Sequence, residues 1–209
     1  MTHPEPYLDT FDERDLSIWI EVPQVFPVPG LEEQYPDEAA WGAVMAQAVW
    51  DSSALQPTAE HIEVLTRILT YAAENTAPDL PGSDIFLHLP QPMDMPLTVH
   101  IGDLDTEDLD EEEVWKEIRE LCGPQGPEAV EEPTVEDFAS PHLGDGIRVL
   151  SYVTDEEDGT INALLRYGWF VPQLRRAVHL STFALDPGHL LSAMKDIDTL
   201  ARGIKYVHN

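Results

Sequence analysis

The chain has 209 residues, 43% of them hydrophobic, with 11 Lys and Arg set against 40 Asp and Glu, for a formal net charge of −29. That apolar content supports a core and excludes a charge-extended disordered chain. The shortage of basic residues excludes binding to a nucleic-acid backbone or an anionic membrane surface, since both require a basic footprint.

The charge is uneven. Residues 160–209 carry a net of +3 and residues 1–159 a net of −32, with ten carboxylates between Asp103 and Glu120. Met1 to Pro6 lacks the basic and apolar regions of a secretory signal. Cys122 is the single cysteine, so no intrachain disulfide forms. No run approaches the ~18 apolar residues of a membrane span. The expected location is the cytoplasm, and low Lys and Asn with abundant Pro point to a bacterial source.

In chain order, Ser17 to Val22 alternates as a strand and Pro23 closes it. A helix is predicted from about Pro36–Glu38, with Trp41, Val44, Met45, Ala48 and Val49 on its apolar face. Thr58 is the expected N-cap of a second helix with the stripe Ile62, Leu65, Ile68, Leu69 and Ala72, broken by Pro78, Pro81 and Gly82. Ile85–Leu89 and Leu97–Ile101 read as strands joined by a stiff proline loop. A third helix follows from about Asp108 to Cys122, its apolar face formed by Val114, Trp115, Ile118 and Leu121.

The segment 123–146, rich in acids, Pro and Gly, is expected to be a solvated loop. It and the acids before it have two possible uses: a surface for a partner, or a counterpart for the basic C-terminal part of the same chain. Strands are predicted over Ile147–Val153, Thr160–Val171 and Arg175–Leu185, with Asp158-Gly159 turning between the first two. The last helix is capped by Asp186, started by Pro187 and stopped by Gly203, with Leu190, Met194, Ile197 and Ala201 on one face. A short final strand is predicted at Ile204–Val207.

Contiguous strands with short connections favour an antiparallel sheet over a parallel one that needs crossover helices. The expectation is one α+β domain over residues 1–209, with helices packed on a largely antiparallel sheet. Over residues 17–207 this element order resembles the Mog1/PsbP-like α/β sandwich, a group found in small bacterial lipoproteins and adaptors. The resemblance implies partner binding without a catalytic site; the lipobox cysteine of the lipoproteins is missing here.

The chemistry-bearing motifs are few. His88 and His100 occupy equivalent faces of the two short strands, and His179 on a later strand is a third candidate for a metal cluster. Asp103-Leu104-Asp105-Thr106-Glu107 begins like a calcium loop, but Asp108 and Val114 stand where that loop needs glycine and glutamate. No nucleophile elbow, P-loop or dinucleotide fingerprint occurs. Cys122, at a helix C-terminus, sits where the dipole raises a thiol pKa.

The partner-binding candidates are Asp103, Asp105, Asp108, Asp110, Glu111 and Glu112, joined by Trp169 and Arg175 if Trp169 is exposed rather than core-filling. The leading expectation is a non-catalytic interaction protein (adaptor, inhibitor or immunity-type) that meets a basic partner and carries no cofactor. The alternatives are a metal-dependent hydrolase or small-ligand binder built on the histidines, and a structural subunit of an assembly.

Overall fold

A computed structural model describes residues 7–10, 17–79, 83–123, 129–155 and 158–207, with side chains described throughout except at 76–79. From the N-terminus the elements are β1 (Tyr7–Asp9), β2 (Trp19–Val22), α1 (Glu38–Ser52), α2 (Ala59–Asp79), β3 (Asp84–His88), β4 (Leu97–Asp105) and α3 (Glu111–Cys122). They continue as β5 (Thr134–Ser140), β6 (Gly144–Thr154), β7 (Ile161–Val171), β8 (Arg176–Ala184), α4 (Pro187–Gly203) and β9 (Lys205–Val207). The fold is α+β, with antiparallel strand pairing and helices packed on the strands. Among the described residues no helix is long and apolar enough to cross a membrane.

Two compact units divide the chain, residues 15–100 and residues 1–14 with 101–209, and the division falls within β4.

In the first of these, β2 pairs antiparallel with β3, Trp19 opposite His88 and Val22 opposite Ile85. The core packs Trp41, Trp50, Leu65 and Leu69 of α1 and α2 with Val22, Ile85 and Leu87 of the strands. Asp37 caps α1 by accepting a bond from the Ala40 amide at 2.8 Å, and the Thr58 hydroxyl oxygen accepts from the His61 amide at 3.2 Å ahead of α2. The buried face of α1 differs from the predicted one. Trp41, Gly42, Ala46 and Trp50 are buried, whereas Val44 and Ala48 are exposed. The rotation is set by Gly42, where an added Cβ would lie 2.3 Å from the Thr70 hydroxyl and 3.0 Å from its backbone nitrogen. The two helices therefore approach closely at a residue without a side chain. α2 also extends to Asp79, past the predicted break at Pro78. Pro81 and Gly82 lie outside the described residues.

In the other unit the strand order is β4-β8-β7-β6-β5. β5 and β6 pair around Phe138 opposite Gly146, β6 and β7 around Leu150 opposite Leu165, and β7 and β8 around Tyr167 opposite Leu180. The predicted loop at 123–146 is thus shorter than expected, because 134–140 forms a strand at the end of that order. Only Phe138 and Ser140 of β5 are buried, which leaves it without the alternating apolar signature of a strand. β1 pairs with β9, Tyr7 opposite Val207.

Three buried rings fill the centre: Tyr167 and Trp169 stack with centroids 5.9 Å apart, and Phe138 meets both edge-on. Arg148 donates to both carboxylate oxygens of Asp198 at 2.9 and 2.7 Å and to Glu136 at 2.6 Å. The Tyr167 hydroxyl donates to the same Asp198 at 2.6 Å. One partly buried network thereby ties β5, β6 and β7 to α4.

Candidate functional site

The acidic segment begins at the end of β4 and continues into α3. Asp110 caps α3 by accepting from the Glu113 amide at 2.9 Å, and Glu113 returns a bond to the Asp110 amide, so both carboxylates hold free helix donors. Val114, Ile118 and Cys122, four residues apart, make the buried face of α3 and pack on Val149, Phe170 and Ala177. Close approach is possible because β7 has Gly168 there; a Cβ would sit 2.5 Å from Ile118 Cγ2 and 3.0 Å from the Cys122 sulfur. Burial pushes the Cys122 thiol up to about 11, with Arg166 opposing the rise. A nucleophilic role is therefore not supported.

The basic C-terminal strands take up part of the acidic segment. Arg176 lies 3.9 Å from both Asp103 and Asp105, and the Tyr206 hydroxyl donates to Asp103 at 2.7 Å. Arg175, with φ of 53°, donates from one guanidinium nitrogen to the carbonyls of Thr106, Glu107 and Leu109 at 3.0, 2.6 and 2.7 Å. It clamps the β4–α3 connection. Arg166 donates to the Gly123 carbonyl at the end of α3, where a cation meets the negative end of the helix.

Trp169, the other predicted contact residue, is fully buried. It fills the core, because both faces of β7 are covered along this stretch. The aromatic residue that does stand beside the acids is Trp115, half-buried on α3, with the Arg119 guanidinium 6.0 Å from its ring centroid. Glu111, Glu112, Trp115 and Arg119 line one shallow depression of about 400 Å³. Asp108, Glu111 and Glu112 are exposed and make no ion pair with any described basic residue, whereas Lys116 reaches only Glu120, at 3.7 Å.

His88 is buried, its ring 4.8 Å from that of Trp19. His100 and His179 are half-buried, and burial, reinforced by Arg166 and opposed by Asp103, lowers the His179 pKa below its ordinary value. Among the described residues no three His, Cys, Asp or Glu side chains are grouped so as to hold a metal ion, His88, His100 and His179 included.

Sequence reasoning placed the acids and put Trp115 on the apolar face of α3, where it packs on the core, but did not show that its half-buried ring also borders the acids. It also missed Thr106 and His179 as members of one cavity beside α3. Neither a protein-family model nor a curated protein sequence matches the chain.

Proposed function

We propose that this chain is a non-catalytic interaction module, cytoplasmic and bacterial, whose acidic α3 end docks a basic segment of a protein partner. The observation that carries this reading is Trp115 beside Glu111 and Glu112, in a depression with carboxylates that the described arginines leave unpaired. An indole face flanked by carboxylates suits a Lys or Arg side chain, and Arg119 already rehearses that contact from within the chain. The resemblance in element order to the Mog1/PsbP-like sandwich, whose members mostly bind partners, supports the same reading. Acidic residues near the contact would speed encounter and make it salt-sensitive.

The test compares two triple variants of equal charge for binding to basic polypeptides of mixed sequence. One is Asp108→Asn with Glu111→Gln and Glu112→Gln; the other is Glu60→Gln with Glu63→Gln and Glu74→Gln on α2. The first variant alone is expected to weaken binding and flatten its salt dependence. Equal losses in both would reduce the acidity to a general charge effect and end the proposal.

A further inference from the structure

β5 stands at the end of the strand order, so β6 takes up only one of its two backbone edges. Among the described residues, no hydrogen bond from the backbone of residues 134–139 leaves that ladder. Alternate amides and carbonyls of the strand therefore point outward as free donors and acceptors. The register with β6 runs unbroken from Thr134 opposite Leu150 to Ser140 opposite Gly144, without a bulge. Residues 134–137 and Ala139 are exposed. Sheets ordinarily shorten, bend or cover such an edge. A regular edge left exposed is the template that an added strand needs.

The side chains along this edge define what fits it. Val135 and Asp137 lie on the α3 side of the sheet, opposite Val149 and Ile147, residues of the cluster on which Trp115 also packs. Val135 is apolar yet 61% exposed. Asp137, with Glu131 and Glu132 just before the strand, is exposed and makes no ion pair with any described basic residue. The edge is thus acidic, with one apolar contact, on the side that carries Trp115, Glu111 and Glu112.

We propose that the partner's basic segment binds in extended form, as a strand added along the outer edge of β5. This rests on the basic partner inferred above and states the conformation in which it is bound. Main-chain bonds to the outward amides and carbonyls supply affinity, and alternate side chains supply selection. On the α3 side a Lys or Arg of the added strand meets Asp137, and an aliphatic residue covers Val135. A helical segment of equal charge leaves the edge unpaired.

The probe is a capped peptide of alternating Lys and Thr, about nine residues long, titrated into the full chain beside the same peptide N-methylated at every internal residue. The two share charge and side chains, but the second lacks the internal backbone donors of a ladder. The parent peptide is expected to saturate and to slow hydrogen exchange at the outward, alternate amides of β5, read by NMR. N-methylation is expected to weaken binding about tenfold or more. Asp137→Lys, at an exposed site, is expected to weaken the parent peptide by a similar factor with the circular dichroism unchanged. No saturable binding overturns the proposal. So does equal binding of the methylated peptide, or saturation without added protection in β5. In that last case, weakening by the Asp108, Glu111 and Glu112 triple variant leaves the α3 docking site standing alone. Added protection in β5 with binding indifferent to that variant ends the α3 site and keeps the added strand.

Discussion

Asp198 on α4 accepts three bonds, two from Arg148 and one from the Tyr167 hydroxyl, and both partners are largely sheltered from water. Asp198→Ala leaves a buried phenol without its acceptor, at a cost of about 1–3 kcal/mol. It also strips Arg148 of its bidentate partner. The full penalty for breaking a buried ion pair is about 3–5 kcal/mol, but Arg148 keeps Glu136 and is 19% exposed, so a smaller share applies. The expected total is about 3 kcal/mol, read as a lower urea midpoint at unchanged slope. Tyr167→Phe removes only the hydroxyl and is expected to cost about 1–1.5 kcal/mol, with the two variants non-additive because they share one bond. Burial, then the bond to Asp198, holds the Tyr167 phenol protonated above its ordinary 10.0. A raised pKa means this stabilisation is complete below pH 10.0 and is lost above it. An Asp198→Ala cost below about 0.5 kcal/mol, or a Tyr167→Phe cost as large, would refute the reasoning.

Three further outcomes are expected. Cys122, with its thiol raised to about 11 by burial, is expected to resist alkylation at pH 8 in the native chain and to react promptly in denaturant; fast native labelling would contradict the packing of α3. Gly42→Ala gains helix propensity but forces a Cβ against Thr70, for a net loss of about 1–2 kcal/mol, while Val44→Ser on the exposed side changes stability by less than about 0.5 kcal/mol; the reverse order would restore the predicted face of α1. His179 has a lowered pKa, so its neutral form favours folding. Its contribution is complete above the ordinary value of 6.5 and is lost as pH falls through the lower native value, and His179→Gln is expected to flatten that part of a stability profile.

The elements legible in the sequence are those whose local signals agree with their packing. Asp186, Pro187 and Gly203 bound α4 where expected, and Asp110 with Glu113 forms a capping box at the start of α3. β5 was hidden because a strand at the end of the order buries two residues of seven and shows no alternation. β1 was hidden because three residues acquire their pairing only from β9 at the other end of the chain. The acids were legible as a group, but how they divide was not. Asp103 and Asp105 face Arg176, whereas Asp108, Glu111 and Glu112 face solvent, and that split depends on β8 lying beside β4. Trp169 fills the core, and Trp115 packs on the core from the apolar face of α3 while staying half-buried, since burial depends on which layer covers each residue.

β5 gives the acidity one further meaning, independent of any partner. A strand at the end of a sheet presents its backbone to whatever strand next approaches, and the most abundant such strand belongs to another copy of the same chain. Asp137 stands exposed on β5, whereas its neighbour Glu136 is paired with Arg148, so two copies meeting there bring the Asp137 carboxylates together. A carboxylate on this strand thus acts as a guard against self-recognition.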